Sequence, residues 1–325
     1  MTSSGLLQFH WKAVHRMDDS PFASSQQVEF IDDRAVVWEN VRRTRSLFYQ
    51  RFEYVYPGPI YNLKQRLVIL PADRYGAQHL LDHQFTANPV PIAMRQLADN
   101  FGNRVLELEV REAESIVSFE VQMIVESVPY GTDRPAISLA EAQHFLTDTL
   151  LTMPDRRIHA VTRQLKAASN SEHDLAVRIH DYVAEIMRYK GGVTTVSTTA
   201  AEALSLGQGL CQDYAHLMLA ICRTAGLPAR YVSGHLLGEG GSHAWVEVFL
   251  PTANGLSAFA FDPTNKRQPD LGYITVAVGR DYRDVSPTSG SFTAPYEGEL
   301  TVRKRAGLTQ VEYLNGDTLG TSLAS

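Results

Sequence analysis

The chain has 325 residues, of which 44% are apolar and 20% charged, with a formal charge of -6. That length and balance predict a soluble globular protein of about two domains, each able to bury its own core. The negative charge argues against a general affinity for nucleic acid, and two cysteines, Cys211 and Cys222, are too few for a disulfide scaffold.

Residues 1–35 are polar and weakly periodic, so an irregular segment is expected there. Met1 to His15 lacks the basic start and continuous apolar run of a signal peptide, and nowhere do about 20 apolar residues run together. A cytoplasmic protein with no membrane partner is the expectation. From residue 36 the pattern is strand-like. Ser46–Tyr49 and Phe52–Tyr56 are rich in aromatic residues and stop at Pro57-Gly58-Pro59. Arg66–Leu70 is a short apolar run ended by Pro71. Asn100-Phe101-Gly102-Asn103 is a turn leading into the alternating segment Val105–Val110, and Ile116–Val128 is a further strand. Together these predict an all-β domain over 36–130. The basic clusters Arg42-Arg43-Thr44-Arg45 and Arg303-Lys304-Arg305 fit solvated strand faces.

After Pro135 helices mix with strands. Ser138–Leu150 is a predicted helix with Ser138 and Glu141 as a capping box. His173–Tyr189 carries an apolar stripe of Leu175, Ile179, Tyr182, Val183, Ile186 and Met187, ended by Gly191-Gly192. The turn Gly207-Gln208-Gly209 opens another helix. In it Tyr214, Leu217, Met218, Ile221 and Ala225 recur at helical spacing until Gly226 and Pro228 stop it. Three strands follow, Arg230–Leu237, Ser242–Leu250 and Leu256–Asp262. The fold class is therefore α+β, with a mixed domain over 136–290. Residues 291–325 read as a tail with one strand, Glu299–Arg303, and a frayed end from Gly320.

Cys211 lies three residues before Tyr214, in the first helical turn and on the same inward stripe. A helix N-terminus presents free N–H groups and partial positive charge, which favour a thiolate and can hold a developing oxyanion. Cys222 shares that face about 16 Å further along the helix, among apolar residues, and reads as a structural thiol. The separators between the three strands are short, which predicts an antiparallel meander. Facing residues in such a pair have numbers of constant sum. If Leu250 faces Leu256, Ala244 faces Asp262; a one-residue slip sets His243 opposite Asp262. Either register brings His243 and Asp262 together. A helix-start cysteine and a carboxylate-oriented histidine are the parts of a thiol nucleophile site. Cys211 is the candidate nucleophile, His243 the base that protonates the leaving amine, and Asp262 the group that orients the ring. Pro263 ends the strand where Asp262 must emerge. Each residue alone has an ordinary structural explanation; their joint placement points to chemistry.

Gly209-Leu210-Cys211-Gln212-Asp213-Tyr214-Ala215-His216 resembles the bacterial transglutaminase-like superfamily. The likeness continues through Gly226–Gly234, His243-Ala244-Trp245-Val246-Glu247-Val248 and Phe261-Asp262-Pro263-Thr264-Asn265, with Ser197–Glu202 as a lead-in. Asp99–Asn103 and the strand after it resemble the β-rich domain that precedes this core in bacterial members. The resemblance covers roughly 40–290. It implies a papain-like core behind an all-β N-terminal domain, and a Cys–His–Asp triad acting through an acyl-thioester on a peptide or protein substrate. No cofactor is expected. The superfamily also holds cross-linking transferases, glycoprotein amidases and members that have lost the triad; here all three positions stand. The chain is too short for the extra β-domains of the animal cross-linking enzymes and lacks an Asp-rich calcium loop, which favours water as acyl acceptor. A cysteine peptidase or amidase is therefore expected. The alternatives are a protein-glutamine gamma-glutamyltransferase and, in another class, a non-catalytic interaction module.

Gln208 and Tyr189 are candidate second oxyanion donors beside a backbone N–H. Trp245 shares a strand face with His243, so it either walls the site or packs in the core. Cys211, His216, His235, His243 and Asp262 are conceivable metal ligands. However, His216 lies about 140° around the helix from Cys211, and no Cys-x-x-Cys or His-Glu-x-x-His spacing occurs.

Overall fold

The computed structural model describes residues 28–129, 133–239, 241–253 and 255–321. The irregular segment expected over 1–35 and the frayed end expected from Gly320 lie mostly outside them. In the first half, aromatic and β-branched residues build β1 (Val41–Val55), β2 (Ile60–Leu70), β3 (Arg74–Tyr75), β4 (Gln78–Asn88), β5 (Ala93–Ala98), β6 (Arg104–Ala113) and β7 (Ile116–Ser127). The second half begins with β8 (Ala136–Ile137), α1 (Leu139–Leu146), α2 (Arg156–Ala167), α3 (Glu172–Ile186) and β9 (Arg188–Tyr189). Then come α4 (Ala200–Leu206), β10 (Gln208–Gly209), α5 (Cys211–Ala225), β11 (Ala229–Leu236), β12 (His243–Thr252), β13 (Gly255–Phe261) and β14 (Tyr273–Gly279). The chain closes with β15 (Thr288–Thr293), β16 (Glu299–Tyr313) and β17 (Thr318–Gly320).

Among the described residues, one six-stranded sheet runs β17-β16-β1-β7-β4-β3 and one four-stranded sheet runs β15-β2-β6-β5. Their inner faces share a core in which Phe48, Phe52 and Phe119 meet Ile60, Leu67 and Leu108, so the β-rich region is a sandwich. A five-stranded sheet, β14-β11-β12-β13-β8, carries α5 on one face. Nearly every side chain of α5 is buried, because α2, α3 and α4 cover the side away from the sheet. The fold is thus α+β, with a helix-and-sheet core behind an all-β region. No helix among the described residues is long and apolar enough to cross a membrane.

Several elements differ in extent from the sequence expectation. The Ser138–Glu141 capping box forms, with the Ser138 N–H donating to Glu141 Oε2 at 2.8 Å. But α1 ends at Leu146 rather than Leu150, because Thr149 and Thr152 turn the chain through a hydroxyl–hydroxyl bond of 3.0 Å. The helix expected over His173–Tyr189 stops at Ile186; Met187 is extended and Tyr189 pairs alongside Gly209. The helices α2 and α4 were not foreseen. The strand expected over Glu299–Arg303 runs on to Tyr313 and pairs with β1 along its length, from Val55↔Glu299 to Val41↔Tyr313. With β15 on β2, the end of the chain completes the sandwich, and the expected division at residue 290 falls inside β15. The basic clusters are only partly solvated faces. Arg45 pairs with Glu126 at 2.9 Å and Arg42 with Glu312 at 3.1 Å, while Lys304 donates to the Gly241 carbonyl at 2.6 Å, with its ammonium 5.6 Å from the Phe48 ring centroid.

Candidate active site

The approach to α5 is built by glycine and a buried acid. Gly207 caps α4 with a left-handed φ of 60°. A Cβ on Gly209 would lie 2.5 Å from Asp213 Oδ2, so this loop closes onto the helix only with glycine. Asp213 is buried and accepts the Leu210 N–H and the Thr194 hydroxyl, each at 2.7 Å. Burial pushes its carboxyl above the usual range, and those bonds counter part of the effect. Cys211 stands at the first position of α5, half-buried. Of the first-turn N–H groups, that of Asp213 bonds the Leu210 carbonyl at 2.9 Å, while those of Cys211 and Gln212 have no acceptor one turn back and face the same end. Cys222 is wholly buried, and burial pushes its thiol up to about 12. Of the two cysteines, Cys211 is the accessible one.

His243 begins β12 and is 3% exposed. Its Nε2 lies 2.7 Å from Asp262 Oδ2. A carboxylate only accepts, so Nε2 carries the proton. Asp262 Oδ2 also accepts the Tyr273 hydroxyl at 2.6 Å and Asn265 Nδ2 at 2.9 Å; Oδ1 accepts the N–H groups of Thr264 and Asn265. Burial alone would raise this carboxyl, but the bonds and the imidazole charge hold it below its ordinary value. For His243 burial works downward, yet hydrogen bonds to Asp262 and Cys211 and their charges prevail and raise the imidazolium to about 10. The second ring nitrogen, Nδ1, has Glu239 Oε2 at 3.4 Å.

The route by which His243 and Asp262 meet corrects the expected register. Val246 pairs with Phe261 and Thr252 with Gly255, a shift of one residue from Leu250 facing Leu256. The ladder leaves only two residues between Thr252 and Gly255, a tighter connection than the expected five. Continuing that register sets Asp262 opposite Trp245, with His243 as its diagonal neighbour on the same face. The Asp262 backbone leaves the ladder to bridge Arg267, with its N–H donating to the Arg267 carbonyl at 2.8 Å. The side chain then swings toward the start of β12.

Trp245 is fully buried and stacks behind His243, with ring centroids 6.1 Å apart; it packs edge-on against Tyr273. It therefore backs the imidazole from the core and does not wall a cleft. Tyr189, 64% exposed, sits at the rim beside Gly209; burial, then the charges of Cys211 and Glu239, push its phenol up. Gln208 is half-buried on β10, its backbone paired with Arg188. His216 is buried and accepts the Tyr282 N–H at 3.2 Å, and His235 is buried against Phe48. Among the described residues no three His, Cys, Asp or Glu side chains are grouped to hold a metal ion. Tyr273, Asn265, Glu239 and Asp213 were missed from the sequence. Asn265 and Asp213 lie inside the segments 261–265 and 209–216, and an Asx-type turn after Asp262 is the available signal for Asn265. Tyr273 arrives from a separate strand and has no local signal.

A thiol-bearing helix start on an antiparallel sheet, with a histidine and a carboxylate at the sheet end, defines the papain-like class of fold. The transglutaminase-like superfamily model matches residues 159–265, and the bacterial transglutaminase-like N-terminal region matches residues 49–126. An uncharacterized protein of Mycobacterium tuberculosis is 30% identical over 272 residues, covering 74% of this chain and 85% of that protein. One of Mycobacterium leprae is 29% identical over 223 residues, covering 63% and 78%. The crystal structure of a putative cysteine protease from Cytophaga hutchinsonii superposes with a TM-score of 0.68 at 18% identity, over 86% of this chain and 93% of that one, a likeness of fold alone. The chain belongs to the transglutaminase-like superfamily, with the bacterial N-terminal region preceding the core.

Proposed function

We propose that the protein is a cysteine peptidase or amidase that cleaves an amide bond of a peptide or protein substrate through an acyl-thioester on Cys211. The observation that carries this reading is the environment of His243, whose ring is bonded to Asp262 at 2.7 Å and raised further by Cys211. An imidazole whose protonated form is favoured, beside a thiol at a helix start, can take the thiol proton and so form the reactive pair.

In the proposed mechanism the Cys211 thiolate adds to the substrate carbonyl. First-turn N–H groups of α5 receive the developing oxyanion. His243 Nδ1–H gives its proton to the departing amine as the C–N bond breaks, leaving the acyl group on sulfur. A water then attacks the thioester while His243 takes its proton, and collapse releases the acid and restores the thiolate and imidazolium. Asp262 keeps the proton on Nε2 throughout and so directs Nδ1 at the chemistry.

The test offers the protein a glutamine-containing peptide library, with and without a labelled primary amine, beside Cys211→Ala. Cleavage or deamidation without amine incorporation, lost in the variant, is the expected result. Incorporation of the amine identifies a transferase. Identical behaviour of both proteins overturns the catalytic reading.

A further inference from the structure

β14 is an edge strand of the central sheet, paired with β11 on one side only. Such an edge leaves backbone N–H and C=O groups without a partner strand. Side-chain amides from the β-sandwich take the partner's place. Gln78, the first residue of β4, accepts the Thr275 N–H and donates to the Thr275 carbonyl, each at 2.8 Å. Asn103, just before β6, accepts the Val278 N–H at 2.8 Å and donates to the Val278 carbonyl at 2.7 Å. An amide holds an acceptor and an NH2 donor side by side, so each reproduces the hydrogen-bonding pair of a strand. Gln78, Asn103, Thr275 and Val278 are all buried, so loss of either clip leaves polar groups unpaired away from water.

The Asn103 clip is itself held. Asp99 Oδ1 accepts the N–H groups of Phe101 and Asn103, and Oδ2 accepts Asn103 Nδ2, all at 2.9 Å. The Asp99–Asn103 turn thus aims one amide at β14. Consecutive residues of β14 then join the sandwich to the site. Thr275 is bonded to Gln78. Ile274 packs in the sandwich core that also holds Phe48 and Leu67. Tyr273 gives its hydroxyl to Asp262 Oδ2 at 2.6 Å and packs edge-on against Trp245, which backs His243. Successive side chains of a strand point to opposite faces, so seating Ile274 in the sandwich turns Tyr273 the other way, toward Asp262.

We propose that Gln78 and Asn103 are positioning residues for the triad: by completing the edge of β14 they fix Tyr273 on Asp262, and the β-sandwich so becomes part of the apparatus that orders the base. The proposal rests on the acyl chemistry assigned to Cys211. Neither amide touches a reacting atom. Both act through Tyr273 and the carboxylate that directs His243 Nδ1.

The test uses the full chain and p-nitrophenyl acetate. Cys211 takes the acetyl group and releases nitrophenolate; water then removes the acetyl group while His243 takes its proton, and mass spectrometry follows that second step. Gln78→Met and Asn103→Leu remove the clips at similar side-chain size. Deacetylation is expected to slow about tenfold in Gln78→Met, and in the same direction in Asn103→Leu. In a Tyr273→Phe background Gln78→Met is expected to cost less than about twofold, because the bond it aligns is already gone. Where Gln78→Met does not fold, Ile274→Val loosens the same strand by one methyl group, with a loss of about threefold expected. An unchanged rate in the folded variant, or equal losses in the two backgrounds, overturns the assignment. No acetylation of Cys211 counts instead against the acyl-enzyme reading. Proton NMR then judges the clips without turnover: the low-field His243 Nε2–H signal is expected to broaden in the variants, and an identical signal overturns the proposal.

Discussion

Asp262→Asn removes one charge with little change of shape, and its consequence can be worked out atom by atom. The Thr264 and Asn265 N–H groups at Oδ1 require an acceptor, so the new amide keeps its oxygen there. Its NH2 then replaces Oδ2, facing His243 Nε2, the Tyr273 hydroxyl and the Asn265 amide. Nε2 must become an acceptor, the proton moves to Nδ1, and the neutral ring presents the wrong tautomer for taking a proton there. The imidazolium also loses the nearest of the groups that raise it to about 10. An opposite charge at this range is worth about 1–3 pH units, at about 1.4 kcal/mol per unit. An NMR titration of the His243 ring is therefore expected to move down by about 1–3 units in the variant. The sign extends to stability. The folded value lies above the ordinary 6.5, so the contribution of His243 is complete below about 6.5 and is lost as pH rises through about 10. The urea midpoint of the wild type is expected to fall across that window, and less so in the variant. An unmoved titration, or a wild-type His243 titrating near 6.5, refutes the reasoning.

Tyr273→Phe deletes the 2.6 Å bond to Asp262 without touching the ring of His243. A bond to a charged group is worth about 1.5–3 kcal/mol, so a fall of about tenfold or more in kcat is expected with KM nearly unchanged. Arg223→Met removes a buried guanidinium that donates to the carbonyls of Phe145, Ala229 and Arg280 and to the Thr152 hydroxyl. The loss expected in urea denaturation is about 3–5 kcal/mol, because the acceptors are left unpaired. Gly209→Ala drives a methyl into Asp213 and breaks the Leu210 N–H bond that caps α5. A cost of about 1–2 kcal/mol and slower alkylation of Cys211 in the folded protein are expected.

The helix that carries Cys211 was legible because one apolar stripe, a glycine turn before it and Gly226-Pro228 after it all point to the same element. The three strands after it were legible for the same reason, but their register was not. A single residue in the hairpin decides which side chains face each other, and the observed register keeps His243 and Asp262 on one face as diagonal neighbours. The expected register with Ala244 opposite Asp262 would have put them on opposite faces, so the expectation that either register brings them together is corrected: it is the observed one-residue shift that does so. α4 has seven residues, too few for a period to register, and only its capping pair Thr199 and Glu202 marks it. β16 is exposed along its first five residues and owes its length to the β1 ladder, a long-range fact absent from local pattern. Tyr273 reaches Asp262 for the same long-range reason, by way of β14.

The most direct measurement is capture of the acyl-enzyme. A rapidly quenched reaction with a cleavable peptide or activated ester is digested and read by mass spectrometry. The proposed chemistry predicts a hydroxylamine-sensitive acyl mass on the fragment containing Cys211, kept in Cys222→Ala and absent in Cys211→Ala. Product formed without any acyl adduct on Cys211, or formed equally by Cys211→Ala, contradicts it.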